Sequence, residues 1–308
     1  MAEGTGRVAV IDIGTNSTRL LVADVAGGRV SPVDRRRTVT RLGRGVDLSG
    51  RLSAEAIEDV CAAIGGYVGI LEELGAETGD AIATSAVRDA GNGSAFIAEL
   101  RERFALSARV LDGEEEARAT YLGATSEALP TEPTLVVDIG GGSTELVVGT
   151  GREVSFHDSL QAGVVRHTER HFGSDPPGAG EMEALATDVR GLIEEAVGAG
   201  VEVSQGIAVA GTPTSLAAVE MELEPYRPAR VHGHVLALPS IQRMLSRLAS
   251  VPLAERVEIP GLHPDRAPTI VAGVVILIET MRAFGLEEIA VSEHDILYGT
   301  ALAAADRR

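Results

Sequence analysis

Two stretches of the chain share one pattern of apolar and polar positions. Residues 10–23 read VIDIGTNSTRLLVA, and residues 136–149 read VVDIGGGSTELVVG. In each stretch an apolar run with one acid is followed by a glycine-containing turn and a second apolar run, which is typical of an antiparallel β-hairpin. The two stretches are about one domain length apart, so we expect two similar domains that face each other and each begin with such a hairpin.

The two hairpins differ in charge at one aligned position. The alignment pairs Asp12 with Asp138, Gly14 with Gly140, Ser17 with Ser143, and Arg19 with Glu145. A turn centred within the triple glycine places Asp138 directly opposite Glu145 on the neighbouring strand, and the same register pairs Asp12 with Arg19. Two facing carboxylates are unfavourable unless one is protonated or a cation lies between them. The second hairpin therefore predicts a site for a hard cation, Mg²⁺ or Mn²⁺, held by Asp138 and Glu145.

The turn residues favour anion binding. Glycines leave backbone N–H groups available to surround an oxyanion, and a neighbouring hydroxyl adds a donor. The alternative is a polar turn in which the glycines only allow tight geometry. One copy alone would favour that alternative, whereas two aligned copies favour phosphate binding. No G-x-x-x-x-G-K-[ST] sequence is present, so this is not a P-loop. The candidate phosphate-binding turn residues are Gly14, Thr15, Asn16, Ser17, Gly140, Gly141, Gly142 and Ser143.

The remaining periodicity alternates between strands and helices, which indicates the α/β class. Residues 53–75 have helical periodicity, and residues 79–90 read as a buried strand that runs into a loop. Residues 111–129 predict a helix that begins with capping-box spacing and an acidic first turn. Two prolines in residues 128–134 mark the best candidate linker.

Composition and charge exclude several classes of partner. The chain has 308 residues, and all 27 of its basic Lys and Arg residues are arginine, against 45 acids, for a net charge of -18. This balance argues against nucleic-acid and membrane partners, so an anionic substrate must be met by a local group of arginines. The lone Cys61 fits a reducing compartment, and the apolar run at 267–278 is too short to span a bilayer and predicts a buried helix. We expect a cytoplasmic protein.

Five motifs, in order along the chain, resemble the exopolyphosphatase and guanosine pentaphosphate phosphatase family of the actin, Hsp70 and sugar-kinase superfamily. They are VAVIDIGTNSTRLLVA, ATSAVRDA, GEEEARATYLGA, VVDIGGGSTELVVG and AGTPTSLAA. The resemblance implies two similar actin-like, ribonuclease H-like domains, each a mixed β-sheet flanked by helices, with the active site in the interdomain cleft. We expect an N-terminal domain at 1–126, completed by a C-terminal helix at about 296–308, and a C-terminal domain at 127–295. The chain resembles a short two-domain form of the family, and SEHDILYG at 292–299 stands where many relatives have an arginine.

The resemblance also implies roles for particular side chains. Glu116 matches the proposed catalytic base, while Asp138 and Glu145 match an acidic pair to which we assign metal and water positioning. Arg88 matches an arginine that binds substrate phosphate, as a guanidinium is suited to do. The alternatives are that Glu116 is one of three acids favoured by a helix N-terminus, and that Arg88 forms a surface salt bridge with Asp89.

Other basic and polar residues are candidates of lower rank. Arg19 and Thr212 complete the predicted phosphate-binding set; Thr212 is expected to be a helix N-cap with Pro213 as the first helical residue, and a capped helix without a ligand is the alternative. Residues 34–47 concentrate several arginines in an otherwise acidic chain. They are either a patch for a polyanion or a solvated strand face, and the residues concerned are Arg35, Arg36, Arg37, Arg41 and Arg44.

Together these features predict an exopolyphosphatase that removes terminal phosphate from inorganic polyphosphate, preferring short chains, by Mg²⁺- or Mn²⁺-assisted hydrolysis with a glutamate base. Guanosine pentaphosphate is the alternative substrate, and a nonenzymatic sensor that binds polyphosphate or guanosine penta- or tetraphosphate is the alternative of another class. The resemblance further implies a homodimer and a connection to the stringent response.

Overall fold

The computed structural model describes residues 6–198 and 200–307. The chain forms two compact units: unit 1 comprises Met1–Ala128 with His294–Arg308, and unit 2 comprises Leu129–Glu293. Each unit is a mixed β-sheet flanked by helices, so the predicted α/β fold of two mixed-sheet domains is confirmed. Among the described helices, none is both long and apolar enough to cross a bilayer.

The elements alternate between strand and helix through both units. The strands are β1 (Gly6–Ile13), β2 (Ser17–Ala26), β3 (Arg29–Val39), β4 (Glu77–Ala83), β5 (Ser107–Val110), β6 (Thr134–Ile139), β7 (Thr144–Thr150), β8 (Glu153–Leu160), β9 (Gln205–Val209), β10 (Val235–Ala237) and β11 (Glu288–Val291). The helices are α1 (Val46–Ser49), α2 (Ala54–Leu74), α3 (Ser85–Asp89), α4 (Gly93–Phe104), α5 (Gly113–Ala124), α6 (Val164–His171), α7 (Ala179–Val197), α8 (Gly211–Glu220), α9 (Pro228–Val231), α10 (Leu238–Ala249), α11 (Leu253–Arg256), α12 (Ile270–Ala283) and α13 (Ile296–Asp306), with a 3₁₀ turn at Pro264–Arg266.

The two sheets share a five-strand topology, to which the second adds the antiparallel edge strand β10. The first has the order β3-β2-β1-β4-β5, and the second has the order β10-β11-β9-β6-β7-β8. In both, three consecutive antiparallel strands are extended by parallel strands that follow helical crossovers: β4 and β5 in unit 1, and β9 and β11 in unit 2. Each hairpin therefore lies in the middle of its sheet, where apolar side chains cover both faces.

The period-2 pattern of β1 shows how unit 1 builds two cores on one sheet. Val8 and Val10 pack with α13 on one face, whereas Ile11 and Ile13 pack with α2 and α4 on the other. In unit 2, α12 is buried along nearly its whole length within a single core. The buried helix predicted at 267–278 is therefore present, and it begins at Ile270.

Two predicted helix starts and one unexpected helix bear on the site. The side chain of Ser53 accepts a hydrogen bond from the backbone N–H of Ala56 at the start of α2, and Asp112 and Glu115 form the predicted capping box of α5. The loop expected to follow β4 is instead the short helix α3, which carries Arg88. The Thr84 carbonyl accepts the backbone N–H groups of Val87 and Arg88, which closes this short turn, and sequence periodicity over five residues cannot reveal it.

Candidate functional site

Both hairpins have the register that the sequence predicts. Asp12 is directly opposite Arg19 across β1 and β2, and Asp138 is directly opposite Glu145 across β6 and β7. Each turn is closed by the same backbone bond, from the N–H of its first glycine to the carbonyl of its serine: 3.1 Å from Gly14 in unit 1, and 3.0 Å in unit 2. The difference in charge, Arg19 in one hairpin and Glu145 in the other, therefore lies at equivalent positions of two equivalent hairpins.

The carbonyl side of each turn is covered by the chain that follows the third strand. In unit 2 the backbone N–H groups of Val165 and Arg166, at the start of α6, donate to the Gly141 carbonyl, and the Nε of Arg166 donates to the Gly142 carbonyl at 2.8 Å. Gly163 approaches so closely that a Cβ on it would lie 2.3 Å from the Gly141 oxygen. With the carbonyls covered, the N–H groups of Gly141 and Gly142 donate to no other described residue, which leaves them available to an anion.

The turn of unit 1 is covered in the same way. The N–H of Gly43 donates to the Thr15 carbonyl, and the N–H groups of Thr40 and Arg41 donate to the Asn16 carbonyl. The Thr15 hydroxyl is hydrogen-bonded to the Ser85 hydroxyl at 3.0 Å, which connects this turn to α3. The two turns are thus equivalent in backbone support as well as in sequence.

Glu116 and Arg88 are brought together within unit 1. Glu116 lies in the first turn of α5 and is 6% exposed, whereas Glu115 is exposed and bonded to Arg109. Nη1 of Arg88 donates to Oε2 of Glu116 at 2.7 Å and to the Leu111 carbonyl at 3.0 Å. The guanidinium of Arg88 thus lies against a buried carboxylate, and its role in phosphate binding stays a prediction.

Burial sets the acidity of Glu116. Removal from water raises the pKa of Glu116 to about 7, although the hydrogen bond and the charge of Arg88 pull it back down. A carboxylate that titrates near neutral pH is suited to accept a proton from water, which an ordinary surface glutamate is not. Glu116 thus combines burial with a raised pKa, as a general base at neutral pH requires.

Arg19 is held by two carboxylates of unit 1. Its Nε and Nη2 donate to Oδ2 of Asp12 at 2.8 and 2.6 Å, and its Nη1 donates to Asp295. Burial opposes the charge, but the two acids outweigh it and hold the pKa of Arg19 above its ordinary value. The guanidinium is engaged with protein acids in this structure, so a role of Arg19 in phosphate binding stays a prediction.

Asp295 is a residue that the sequence analysis missed. It is the N-cap of α13, where its Oδ1 accepts the backbone N–H of Leu297 at 3.0 Å while Oδ2 accepts from Arg19. Close packing of α13 on α5 brings it there: a Cβ on Gly299 would lie 1.8 Å from the Ala119 carbonyl oxygen. An acid directly before an apolar helix was a signal for the cap, but no sequence pattern indicated its partner.

The acidic pair of unit 2 offers hard oxygen ligands. Asp138 is 8% exposed and Glu145 is 2% exposed, and they lie opposite each other on one face of the hairpin. Oε1 of Glu145 accepts hydrogen bonds from Ser143 at 2.6 Å and Ser159 at 3.0 Å, which fixes the carboxylate. Two facing carboxylates, of which Glu145 is fixed by hydroxyls, fit the all-oxygen coordination of Mg²⁺ or Mn²⁺.

The prediction for Thr212 as a helix cap is wrong. Helix α8 begins two residues earlier, with Ala210 as its N-cap, and Thr212 is buried inside its first turn. A proline is compatible with that position too, since the N–H groups of the first turn have no intrahelical partner. The same turn contacts a basic residue that the sequence analysis missed, because a Cβ on Gly211 would lie 2.1 Å from Cζ of Arg266.

The arginine-rich segment lies on the exposed edge of its sheet. It occupies β3, the edge strand, and the loop after it, where Arg36 pairs with Asp34 at 2.9 Å and the Arg35 guanidinium lies 5.8 Å from the Tyr298 ring centroid. All five arginines of this segment are exposed. The solvated-strand alternative fits β3, where charge also protects a sheet edge from pairing with another strand.

Comparisons with known proteins cover nearly the whole chain. A model of the Ppx/GppA phosphatase family matches residues 21–303. Exopolyphosphatase 2 of Mycobacterium tuberculosis is 36% identical over 315 residues, which cover 97% of this chain and 98% of that protein. The solved structure of the Aquifex aeolicus member of the Ppx/GppA protein family superposes with a TM-score of 0.85 at 32% identity and covers 99% of both chains. An exopolyphosphatase from Cytophaga hutchinsonii gives a TM-score of 0.89 at 25% identity, with 98% of each chain covered.

Proposed function

The chain belongs to the Ppx/GppA phosphatase family, and from this premise we propose that it is an exopolyphosphatase that releases terminal orthophosphate from inorganic polyphosphate. The observation that carries the proposal is the buried Glu116, whose pKa is raised to about 7 and whose carboxylate is held by Arg88. The name of the 36% identical relative from M. tuberculosis supports the same substrate.

The reaction we propose is hydrolysis of the terminal phosphoanhydride bond. The Glu116 carboxylate accepts a proton from a water molecule as the water oxygen bonds to the terminal phosphorus. The bond from that phosphorus to the bridging oxygen breaks, and the electron pair remains on the shortened chain. The products are orthophosphate and a polyphosphate that is one unit shorter.

Binding of the phosphate oxygens is assigned to backbone and side-chain donors. The backbone N–H groups of Gly141 and Gly142 and the guanidinium of Arg88 are the donors that we propose for phosphate. Asp138 and Glu145 would hold Mg²⁺, which neutralises charge on phosphate oxygens when bound. The homodimer, the cytoplasmic location and the connection to the stringent response stay predictions from the sequence.

A panel of substrates tests the proposal. Orthophosphate release is measured side by side from polyphosphates of defined length, guanosine pentaphosphate and ATP, with saturating Mg²⁺ and with Glu116→Gln as the inactive control. We expect release from polyphosphate, faster from short chains at equal concentration of chain ends, because a net charge of -18 repels a long polyanion beyond its bound end. Preferential release from guanosine pentaphosphate would assign the alternative substrate, and polyphosphate binding without release from any substrate would assign a sensor.

A further inference from the structure

A second cluster of potential metal ligands lies in unit 2, on helices α6 and α7. His167 and His171 are one helical turn apart on α6, and Asp188 on α7 faces them. Nε2 of His171 is 2.8 Å from Oδ2 of Asp188, and Nε2 of His167 is 3.5 Å from the same oxygen. One ligand atom from each of the three side chains lies within 4.8 Å of the other two.

His167 is the unusual member of this cluster. Its side chain is completely buried, yet neither ring nitrogen makes a hydrogen bond with any described residue. The 3.5 Å approach to Asp188 is beyond the 2.7–3.2 Å of an N–H···O hydrogen bond. Buried polar side chains are nearly always satisfied, so a buried imidazole that has no hydrogen-bond partner among the described residues and lies beside a carboxylate indicates a ligand site.

The helical spacing of the two histidines also suits a metal. Imidazoles at positions i and i+4 of a helix lie on one face, which is the spacing that proteins use for paired histidine ligands of zinc. The neighbouring Arg170, whose Nη1 lies 3.4 Å from Oδ2 of Asp188, is exposed.

We propose that His167, His171 and Asp188 form a binding site for a divalent transition metal of the Zn²⁺ class, distinct from the hard-oxygen pair of the β6–β7 hairpin. Two imidazole nitrogens and one carboxylate oxygen are three ligands of a tetrahedral zinc site, with a water as the fourth. Imidazole donors select against Mg²⁺, which prefers oxygen, so the two sites differ in metal preference.

The site connects to the glycine turn through α6. The first backbone N–H groups of this helix donate to the carbonyls of Gly140 and Gly141, so α6 supports the turn whose N–H groups we assign to phosphate. A metal that crosslinks α6 to α7 holds the supporting helix in place. The metal acts through the turn, so these side chains are positioning residues.

Zinc binding in the presence of excess Mg²⁺ tests the site without relying on activity. The full-length protein is freed of metal with a chelator, and zinc is then titrated against a chromophoric competitor while thermal unfolding is followed in parallel. The variants are His171→Gln and Asp188→Asn, which change partly exposed side chains, together with His167→Gln. His157→Gln changes an exposed histidine of β8 and is the matched control.

We expect one zinc per chain and a raised unfolding temperature in the parent and in His157→Gln. We expect loss of both effects in His171→Gln and Asp188→Asn, which keep the parent's unfolding temperature when no zinc is present. Absence of stoichiometric binding in the parent overturns the proposal. Equal zinc binding by the parent and His171→Gln overturns it as well, since the zinc is then bound elsewhere.

Discussion

In the β1–β2 hairpin the residue opposite Asp12 is Arg19, whereas in the β6–β7 hairpin the residue opposite Asp138 is Glu145. The backbones are otherwise equivalent, with the same register, the same closing hydrogen bond and the same coverage of the turn carbonyls. In the first hairpin the charge is balanced within the protein. In the second, two acids share one face, an arrangement that a bound cation stabilises.

The difference teaches how a duplicated fold can assign different tasks to its two halves. In unit 1 the side chain of Arg19 supplies the positive charge and lies between two acids. The same unit carries the proposed base, Glu116, on α5. Unit 2 places two acids opposite each other across the strand pair, and hydroxyls of Ser143 and Ser159 orient one of them. The account therefore assigns the base to the first half and the metal to the second.

The largest effect is expected from Glu116→Gln, which tests the assignment of the base to unit 1. The amide keeps the shape and removes the proton acceptor, so kcat falls by roughly 10²–10⁴-fold with polyphosphate affinity nearly preserved. Steady-state kinetics and equilibrium binding measure the two quantities separately. Glu115→Gln is the matched control, because glutamine keeps the capping box and the side chain is exposed. If the kcat of Glu116→Gln is close to that of the parent, Glu116 is not the base and is only an acid favoured by the helix N-terminus.

The second effect separates the two hairpins by their metal requirement. Asp138→Asn weakens one hard ligand, so the Mg²⁺ concentration for half-maximal activity rises by on the order of tenfold. Asp12→Asn makes the same chemical change at the equivalent position of the other hairpin and leaves that concentration unchanged. Titration of Mg²⁺ in both variants beside the parent checks this, and equal shifts in the two would contradict the division of tasks.

The third effect concerns the pH profile. The Glu116 carboxylate must be deprotonated to act, so we expect kcat/KM of the parent to rise with pH through about 7. Arg88 lowers the pKa of Glu116, so Arg88→Ala raises it further and moves the acid limb of the profile to higher pH, with an increased KM. Arg109→Ala, which removes the partly exposed partner of Glu115, is the control and leaves the limb in place.

The smallest effect is expected at Asp295, on the charge balance of the first hairpin. Asp295→Asn keeps the N-cap of α13 and removes one of two acids that hold Arg19, so the free energy of unfolding falls by about 1–2 kcal/mol. Asp295→Ala also removes the cap and lowers it by about a further 1 kcal/mol. Urea denaturation of both variants measures the difference; equal stability of the parent and Asp295→Asn would show that Asp12 alone balances Arg19.

The sequence predicted those parts of the site that depend on local pattern. The register of both hairpins follows from strand alternation around a short turn, and the start of α5 follows from Asp112 and Glu115. The position of Glu116, four residues after Asp112, could be named, but its burial depends on helix packing that no local pattern encodes.

The parts that could not be predicted are contacts distant in sequence. Arg88 meets Glu116 because α3 and α5 both follow neighbouring parallel strands, and Asp295 reaches Arg19 because α13 returns to the first sheet. The start of α8 was misplaced since Thr212 and Pro213 form a good local cap signal, while the fold begins the helix at Gly211. His167, His171 and Asp188 likewise combine across two helices.

Binding of Mn²⁺, followed by the electron paramagnetic resonance of the free ion, tests the central claim most directly, because it compares the two hairpins without turnover. The parent, Glu145→Gln and Arg19→Gln are titrated at equal protein concentration. The account predicts that Glu145→Gln binds Mn²⁺ on the order of tenfold more weakly than the parent, whereas Arg19→Gln binds as the parent does. Unchanged binding in Glu145→Gln, or an equal loss in both variants, would contradict the assignment of the metal to the second hairpin.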